Sequence, residues 1–206
     1  MTQTIHVIDL GIGNLGSVIN MLNRAGAQVE RTSYPAAIAT ASKVILPGVG
    51  AFDALVQKID AAGFRAPLLA HANAGKHLLG ICLGMQVLAN GSEEGQLEGL
   101  GLVPGRVRRF RFEGENAHLK VPHMGWNRVA TRHEHPLACG LETGARFYFV
   151  HSYHFECAEA DDMLFHTHYG FDFASAVQRG NVMGVQFHPE KSHRFGLQLI
   201  QNFVEL

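Results

Sequence analysis

Cysteine is scarce in this chain: Cys82, Cys139 and Cys157 are the three among 206 residues, and no C-x-x-C pair occurs. That excludes a disulfide-stapled scaffold and a cysteine-rich zinc site. An excess of one charge is also missing. Seventeen Lys and Arg stand against eighteen Asp and Glu, a net −1, so no general electrostatic case exists for nucleic acid or an anionic membrane. No apolar run reaches the roughly 18 residues of a membrane span. The N-terminal stretch MTQTIHVIDLGIGN carries no basic leader or cleavage pattern and enters a strand at once. A cytoplasmic chain with no membrane or nucleic-acid partner is expected. Repeats, low-complexity tracts and a Pro/Gly/Ser linker are absent too, so residues 1–206 are expected to form one domain.

What is present is a well-filled globule, 47% hydrophobic and 17% charged. The first ninety residues alternate strand and helix. Short apolar runs at 5–9, 28–32, 43–48 and 77–81 read as strands, and helical spacing marks 14–26, 51–63, 65–75 and 83–91. Alternation of this kind implies an α/β fold with parallel strands covered on both faces. Beyond Gly91 strand-like stretches dominate, at 105–112, 127–131, 146–156, 163–170 and 173–180. A last strand-to-helix passage covers 182–190 and 192–206. The sheet is therefore expected to be mixed.

Gly80-Ile81-Cys82-Leu83-Gly84 falls where a strand gives way to a helix. G-x-C-x-G has the spacing of the nucleophile elbow, a strained turn that lifts the nucleophile from the C-terminal edge of a sheet. A Cβ at either glycine is expected to crowd neighbouring backbone. A helix starting at Leu83 would favour a thiolate over a thiol. A nucleophilic cysteine needs a base, and the base needs an orienting group. His188-Pro189-Glu190 offers both: in extended geometry residues two apart share a face, so His188 can take the thiol proton and Glu190 can fix the imidazole.

Two other chemistries compete. Gly11-x-Gly13-x-x-Gly16, with Glu30 about twenty residues further on, has the form of a dinucleotide fingerprint. The pairs His151/His154 and His166/His168 could serve a metal, although no HExxH accompanies them and 151–168 reads as paired strands.

Further stretches narrow the reading: IGNLGSV (12–18), LPGVGAF (46–52), GICLGMQ (80–86), KVPHMGWN (120–127), FYFVHSYH (147–154) and GVQFHPEKSH (184–193). Together they resemble the class I glutamine amidotransferases, and within them the glutaminase subunits of imidazole glycerol phosphate synthase, over nearly the whole chain. The resemblance implies a three-layer, flavodoxin-like, mixed and mostly parallel sheet with helices on both faces. It implies that Cys82, His188 and Glu190 hydrolyse glutamine through a thioester, with no cofactor and no metal. Oxyanion donors would be the backbone N–H groups of Leu83 and of Val49, whose flanking glycines would let that peptide flip. Gly50, Gln86, Glu94, Ser152 and Tyr153 would line the glutamine pocket, Glu94 facing the α-ammonium. The ammonia would pass to a (β/α)₈-barrel cyclase in a heterodimer. That partner makes imidazole glycerol phosphate and aminoimidazole carboxamide ribonucleotide in histidine biosynthesis. GIGNLGS (11–17) and PGVG (47–50) would face it. A glutaminase serving anthranilate or GMP synthesis is the alternative. The chain departs from the family's pattern at Leu10, where tyrosine is usual, and at His77, where proline is frequent.

Overall fold

The computed structural model describes residues 4–141 and 144–206. Strands β1 (Thr4–Ile8), β2 (Gln28–Thr32), β3 (Lys43–Gly48) and β4 (His77–Cys82) alternate with helices α1 (Leu15–Arg24), α2 (Phe52–Ala61), α3 (Arg65–Asn73) and α4 (Leu83–Gln86). The remaining strands are β5 (Gly91–Ser92), β6 (Gly105–Arg109), β7 (His123–Arg128), β8 (Ala130–Thr131), β9 (Arg146–His151), β10 (Tyr153–Cys157), β11 (Met163–Tyr169), β12 (Phe171–Arg179) and β13 (Val182–Val185). Helix α5 (His193–Glu205) follows.

One sheet of eleven strands runs β2-β1-β3-β4-β13-β12-β10-β6-β5, with β11 on β12 and β8 on β11. The stretch β2-β1-β3-β4-β13 is parallel throughout. Strand β12 turns the sheet antiparallel. The order β2-β1-β3-β4 is that of a doubly wound sheet of the flavodoxin kind. Strands β7 and β9 form a separate antiparallel pair.

Both faces of the parallel half are apolar, and residues along each strand alternate between two cores. Ile5, Val7, Ile45, Leu79, Ile81, Met183 and Val185 pack with α1 and α5. Ile8, Val44, Leu46, Leu78 and Val182 pack with α2, α3 and α4. A period of two with both phases hydrophobic is the signature of a strand buried on both sides. The result is three layers, with the C-terminal ends of β1, β3 and β4 on one rim.

Three expectations need correction. The helix placed at 83–91 is a single turn, Leu83–Gln86. Its continuation is taken over by Leu100 and Val103, whose N–H groups bond to the Val87 and Leu88 carbonyls and pull that chain away from helical pairing. The stretch 146–156 is two strands: β9 pairs with β7, and after Ser152 the chain joins the main sheet as β10. Finally, β10 and β11 do not pair with each other; both lie against β12. Leu10 packs, half-buried, on the second core, and His77 opens β4.

Candidate active site

At the end of β4, Cys82 has φ 56° and ψ −113°. A non-glycine residue there is strained, a conformation that persists only when its surroundings over-determine it. The surroundings are glycines. A Cβ on Gly80 would lie 2.4 Å from the Gly84 carbonyl oxygen, and one on Gly84 would lie 1.8 Å from the Leu46 oxygen. Both substitutions are sterically excluded, so the crowding expected from the motif is what the packing contains. Gly48, on the neighbouring strand, is excluded as well, since its Cβ would sit 2.5 Å from Gly84 N. Gly48 therefore serves close approach rather than freedom. Of the glycines flanking Val49, only Gly50 has a left-handed φ, 101°. Helix α4 offers one turn, so the helix dipole at the sulfur is smaller than a long helix would supply.

His188 arrives differently. Strand β13 ends at Val185, and Pro189–Lys191 forms a 3₁₀ turn. His188 and Glu190 are thus brought together by a turn, not by a shared strand face. Strand β9 clamps that turn. The His188 N–H donates to the Tyr148 carbonyl at 2.9 Å, and the Tyr148 N–H donates to Ser192 Oγ at 3.0 Å. The Ser192 hydroxyl in turn donates to the His188 carbonyl at 2.6 Å. Gly196 admits α5 against the turn, for a Cβ there would fall 1.9 Å from the Pro189 oxygen.

The His188 Nδ1 lies 2.7 Å from Glu190 Oε1, with both side chains about 5% exposed. Burial disfavours the imidazolium. The neighbouring Cys82 sulfur and the hydrogen-bonded Glu190 carboxylate, with the charges of both, outweigh it and raise the group from 6.5 to about 9. Cys82 and His188 border one cleft of about 380 Å³. Val49, Gly50, Leu83, Gln86, Glu94, Ser152 and Tyr153 border it too. Every residue that the resemblance assigns to the glutaminase site is on its wall except Glu190, which stands behind His188. Glu94 Oε2 accepts the Phe52 N–H at the start of α2, at 2.9 Å.

Other residues at this site were not anticipated. Gln186 is fully buried and places Nε2 3.8 Å from Cys82 Sγ. His151 lines the cleft, and His123 bonds to it at 3.0 Å. The clue for Gln186 was its place two residues before His188. His151 was singled out only as a candidate metal ligand, and its pairing with His123 comes from the β7–β9 register.

The competing chemistries find less support. The glycine loop between β1 and α1 holds Gly11 and Gly13 at left-handed φ, and the Asp9 carboxylate accepts the Gly11 N–H. Glu30 faces His6 rather than this loop, at 3.9 Å. Among the described residues no group of three or more His, Cys, Asp or Glu side chains is arranged to hold a metal. Cys139 is exposed, whereas burial pushes the Cys157 thiol up to about 12. No helix among the described residues is long and apolar enough to cross a membrane.

A strained cysteine elbow, an imidazole on the wall of the same cleft and a carboxylate behind that imidazole thus lie together on a three-layer α/β sheet. The family described as glutamine amidotransferase class-I matches residues 6–206. The chain is 48% identical over 203 residues to imidazole glycerol phosphate synthase subunit HisH 2 of Pseudomonas aeruginosa, covering 98% of this chain and 99% of that one. It is also 48% identical to the HisH subunit of Salinibacter ruber, over 97% of this chain and 93% of the other. Among solved structures, PurLQS from Thermotoga maritima matches with a TM-score of 0.76 at 18% identity, covering 100% and 99% of the two chains. A GMP synthase subunit of Thermoplasma acidophilum matches at 0.74 and 17%, covering 100% and 94%. Both structural matches speak for the fold alone. The chain belongs to the class I glutamine amidotransferases, and within them to the imidazole glycerol phosphate synthase subunits.

Proposed function

We propose that residues 1–206 form one amidotransferase domain, that of a cytoplasmic glutaminase subunit in histidine biosynthesis. It hydrolyses glutamine at Cys82 and hands the ammonia to a cyclase partner. The observation that carries this reading is that Cys82 and His188 share one cleft of about 380 Å³ with Glu190 bonded to the imidazole from behind.

The Cys82 thiolate attacks the γ-carboxamide carbon. The oxyanion that forms is stabilised by the Leu83 N–H, next after the nucleophile, and by the Val49 N–H. His188, as imidazolium, gives its proton to the departing nitrogen, ammonia leaves, and a thioester remains. The neutral imidazole then takes a proton from water as the hydroxide adds to the thioester. Collapse releases glutamate and returns thiolate and imidazolium. Glu190 holds the imidazole in register and stabilises its charge. Glu94 faces the α-ammonium, and Gly50, Gln86, Ser152 and Tyr153 bound the amino-acid moiety. None of these steps requires a metal or cofactor.

A partner over the cleft would keep ammonia from bulk water. Val49, Met124 and Trp126 are 40%, 62% and 47% exposed, large apolar groups on the surface of a water-facing chain. Trp126 and Val49 are linked around the cleft. Trp126 stacks on His193 at 5.2 Å and meets Tyr148 edge-on, and Lys191, over the Tyr148 ring, lines the cleft with Val49. The GIGNLGS loop adjoins this rim, since a Cβ on Gly13 would touch Val49 at 3.8 Å. We infer that a (β/α)₈ cyclase subunit seats here in a heterodimer. The relatives' names favour imidazole glycerol phosphate synthesis over anthranilate or GMP synthesis.

The test is glutamate release, with and without the cyclase and its nucleotide, for wild type and Cys82→Ser. Slow release by the lone chain, acceleration by the partner and loss in Cys82→Ser are expected. Full activity of the lone chain, or activity surviving in Cys82→Ser, would sink the reading.

A further inference from the structure

With α4 reduced to one turn, the sulfur of Cys82 draws electrostatic support from His188 and little from the helix. A buried network also ends beside that sulfur, and the direction of every bond in it follows from one carbonyl group. The Tyr153 carbonyl oxygen can only accept. It lies 2.7 Å from His151 Nδ1 and 3.1 Å from Gln86 Nε2. Gln86 must therefore turn its amine toward Tyr153, and the second proton of that amine goes to Gln186 Oε1 at 2.9 Å. With its oxygen engaged, Gln186 has its own amine facing Cys82 Sγ, 3.8 Å away. That distance is long even for sulfur, and catalytic hydrogen bonds in a free site often tighten only with substrate.

The other arm obeys the same constraint. His151 donates from Nδ1, so its Nε2 accepts from His123 Nδ1, and His123 Nε2 accepts from Asn127. Burial holds His151 down to about 3 and His123 to about 4, so both stay neutral and keep these tautomers through physiological pH. Gln186 is fully buried, Gln86 nearly so, and the Gln186 N–H is fixed on the Ser175 carbonyl at 2.9 Å. The amine facing the sulfur is thus locked from both ends.

We propose that Gln186 is a further catalytic residue: its amide N–H, aimed by Gln86 and the Tyr153 carbonyl, donates to the Cys82 sulfur and favours the charged nucleophile over the thiol. The proposal rests on Cys82 being the nucleophile of the reaction described above.

The test is site-resolved alkylation of Cys82 by iodoacetamide against pH, read by peptide mass in the full-length chain, with Cys139 and Cys157 as internal references. Gln186→Leu removes the donor and should slow Cys82 alkylation at neutral pH about tenfold, moving the titration to higher pH. Gln186→Glu keeps an acceptor for Gln86 but sets a negative charge beside the sulfur, and should move it further. Gln86→Leu leaves Gln186 in place without its guide and should shift the profile in the same direction as Gln186→Leu. In the complex, kcat should fall more than KM for glutamine rises. Profiles coinciding with wild type, even if the urea midpoint drops, would reduce Gln186 to packing and overturn the proposal. Should Gln186→Leu fail to fold, the other two variants decide. Alkylation needs no glutamine, so a wrong substrate assignment would appear instead as glutamate release surviving in Cys82→Ser.

Discussion

The two halves of the site are built by opposite means. The cysteine side is defined by atoms that are not there: Gly48, Gly80 and Gly84 leave room for strands and turn to touch backbone to backbone, and Cys82 is forced into its conformation by that contact. The histidine side is defined by hydrogen bonds. Tyr148, Ser192 and Glu190 hold backbone and imidazole in a turn that sterics alone would leave free. A nucleophile must be held against strain, and close packing does that. A base must be oriented and its charge tuned, and polar groups do that.

Substitutions on the two sides should therefore fail in different ways. The largest effect is expected from Gly84→Ala, where the new Cβ meets a backbone oxygen at 1.8 Å. Stability should fall by about 3 kcal/mol or more, read as a urea midpoint, with activity lost alongside it. A Gly84→Ala chain as stable as wild type would break the contrast.

On the polar side, Glu190→Gln should lower kcat about a hundredfold or more while the fold persists, because the imidazolium loses its partner. The pH profile sharpens this. His188 has a folded pKa of about 9, above its unfolded 6.5. Its contribution to stability is fully present below about 6.5 and is lost as pH rises through about 9. The urea-midpoint gap between wild type and Glu190→Gln should accordingly narrow between pH 6 and pH 9.5. The histidine pair runs the other way. His151 and His123, at about 3 and 4, contribute stability above 6.5 that is lost as pH falls through those values. Acid unfolding should thus be delayed when His123 is replaced by Asn.

A smaller change is expected for Glu94→Gln, which keeps an acceptor for the Phe52 N–H but loses the charge. KM for glutamine should rise about tenfold with little change in kcat. The smallest effect belongs to Gly16→Ala in α1, where the nearest atom to a new Cβ is 3.9 Å away. It should be neutral or stabilising by up to about 1 kcal/mol, showing that the intolerance of the elbow is local.

Most of the parallel half was legible in the sequence because its cues are local. The strand at 28–32 is found at those residues, and α1, α2 and α3 deviate only at their ends. The elbow was legible because G-x-C-x-G is a local spacing, although Gly84 is crowded from β3 by the Leu46 carbonyl as well. What escaped depends on partners distant in the chain. The helix after Cys82 stops because Leu100 and Val103 claim its carbonyls, and 146–156 divides because β7 competes for its first half. His188 and Glu190 do meet, but through a turn set by Tyr148, forty residues upstream. Gln186 looked like one more polar residue near a strand end until Gln86 and Tyr153 gave it a direction.

Strands β4 and β13 are neighbours in one hydrogen-bonded ladder, Gly80 opposite Gly184 and Ile81 opposite Val185. The strands that lead to the sulfur and to the imidazole are thereby fixed to one repeat of the sheet, while the turn after Val185 is held to β9 by Tyr148 and Ser192. Anything that repositions the two groups without breaking that ladder has to work at the borders, through the loop around Val49 and Gly50, the turn that carries His188 or the strand crossing at Ser152.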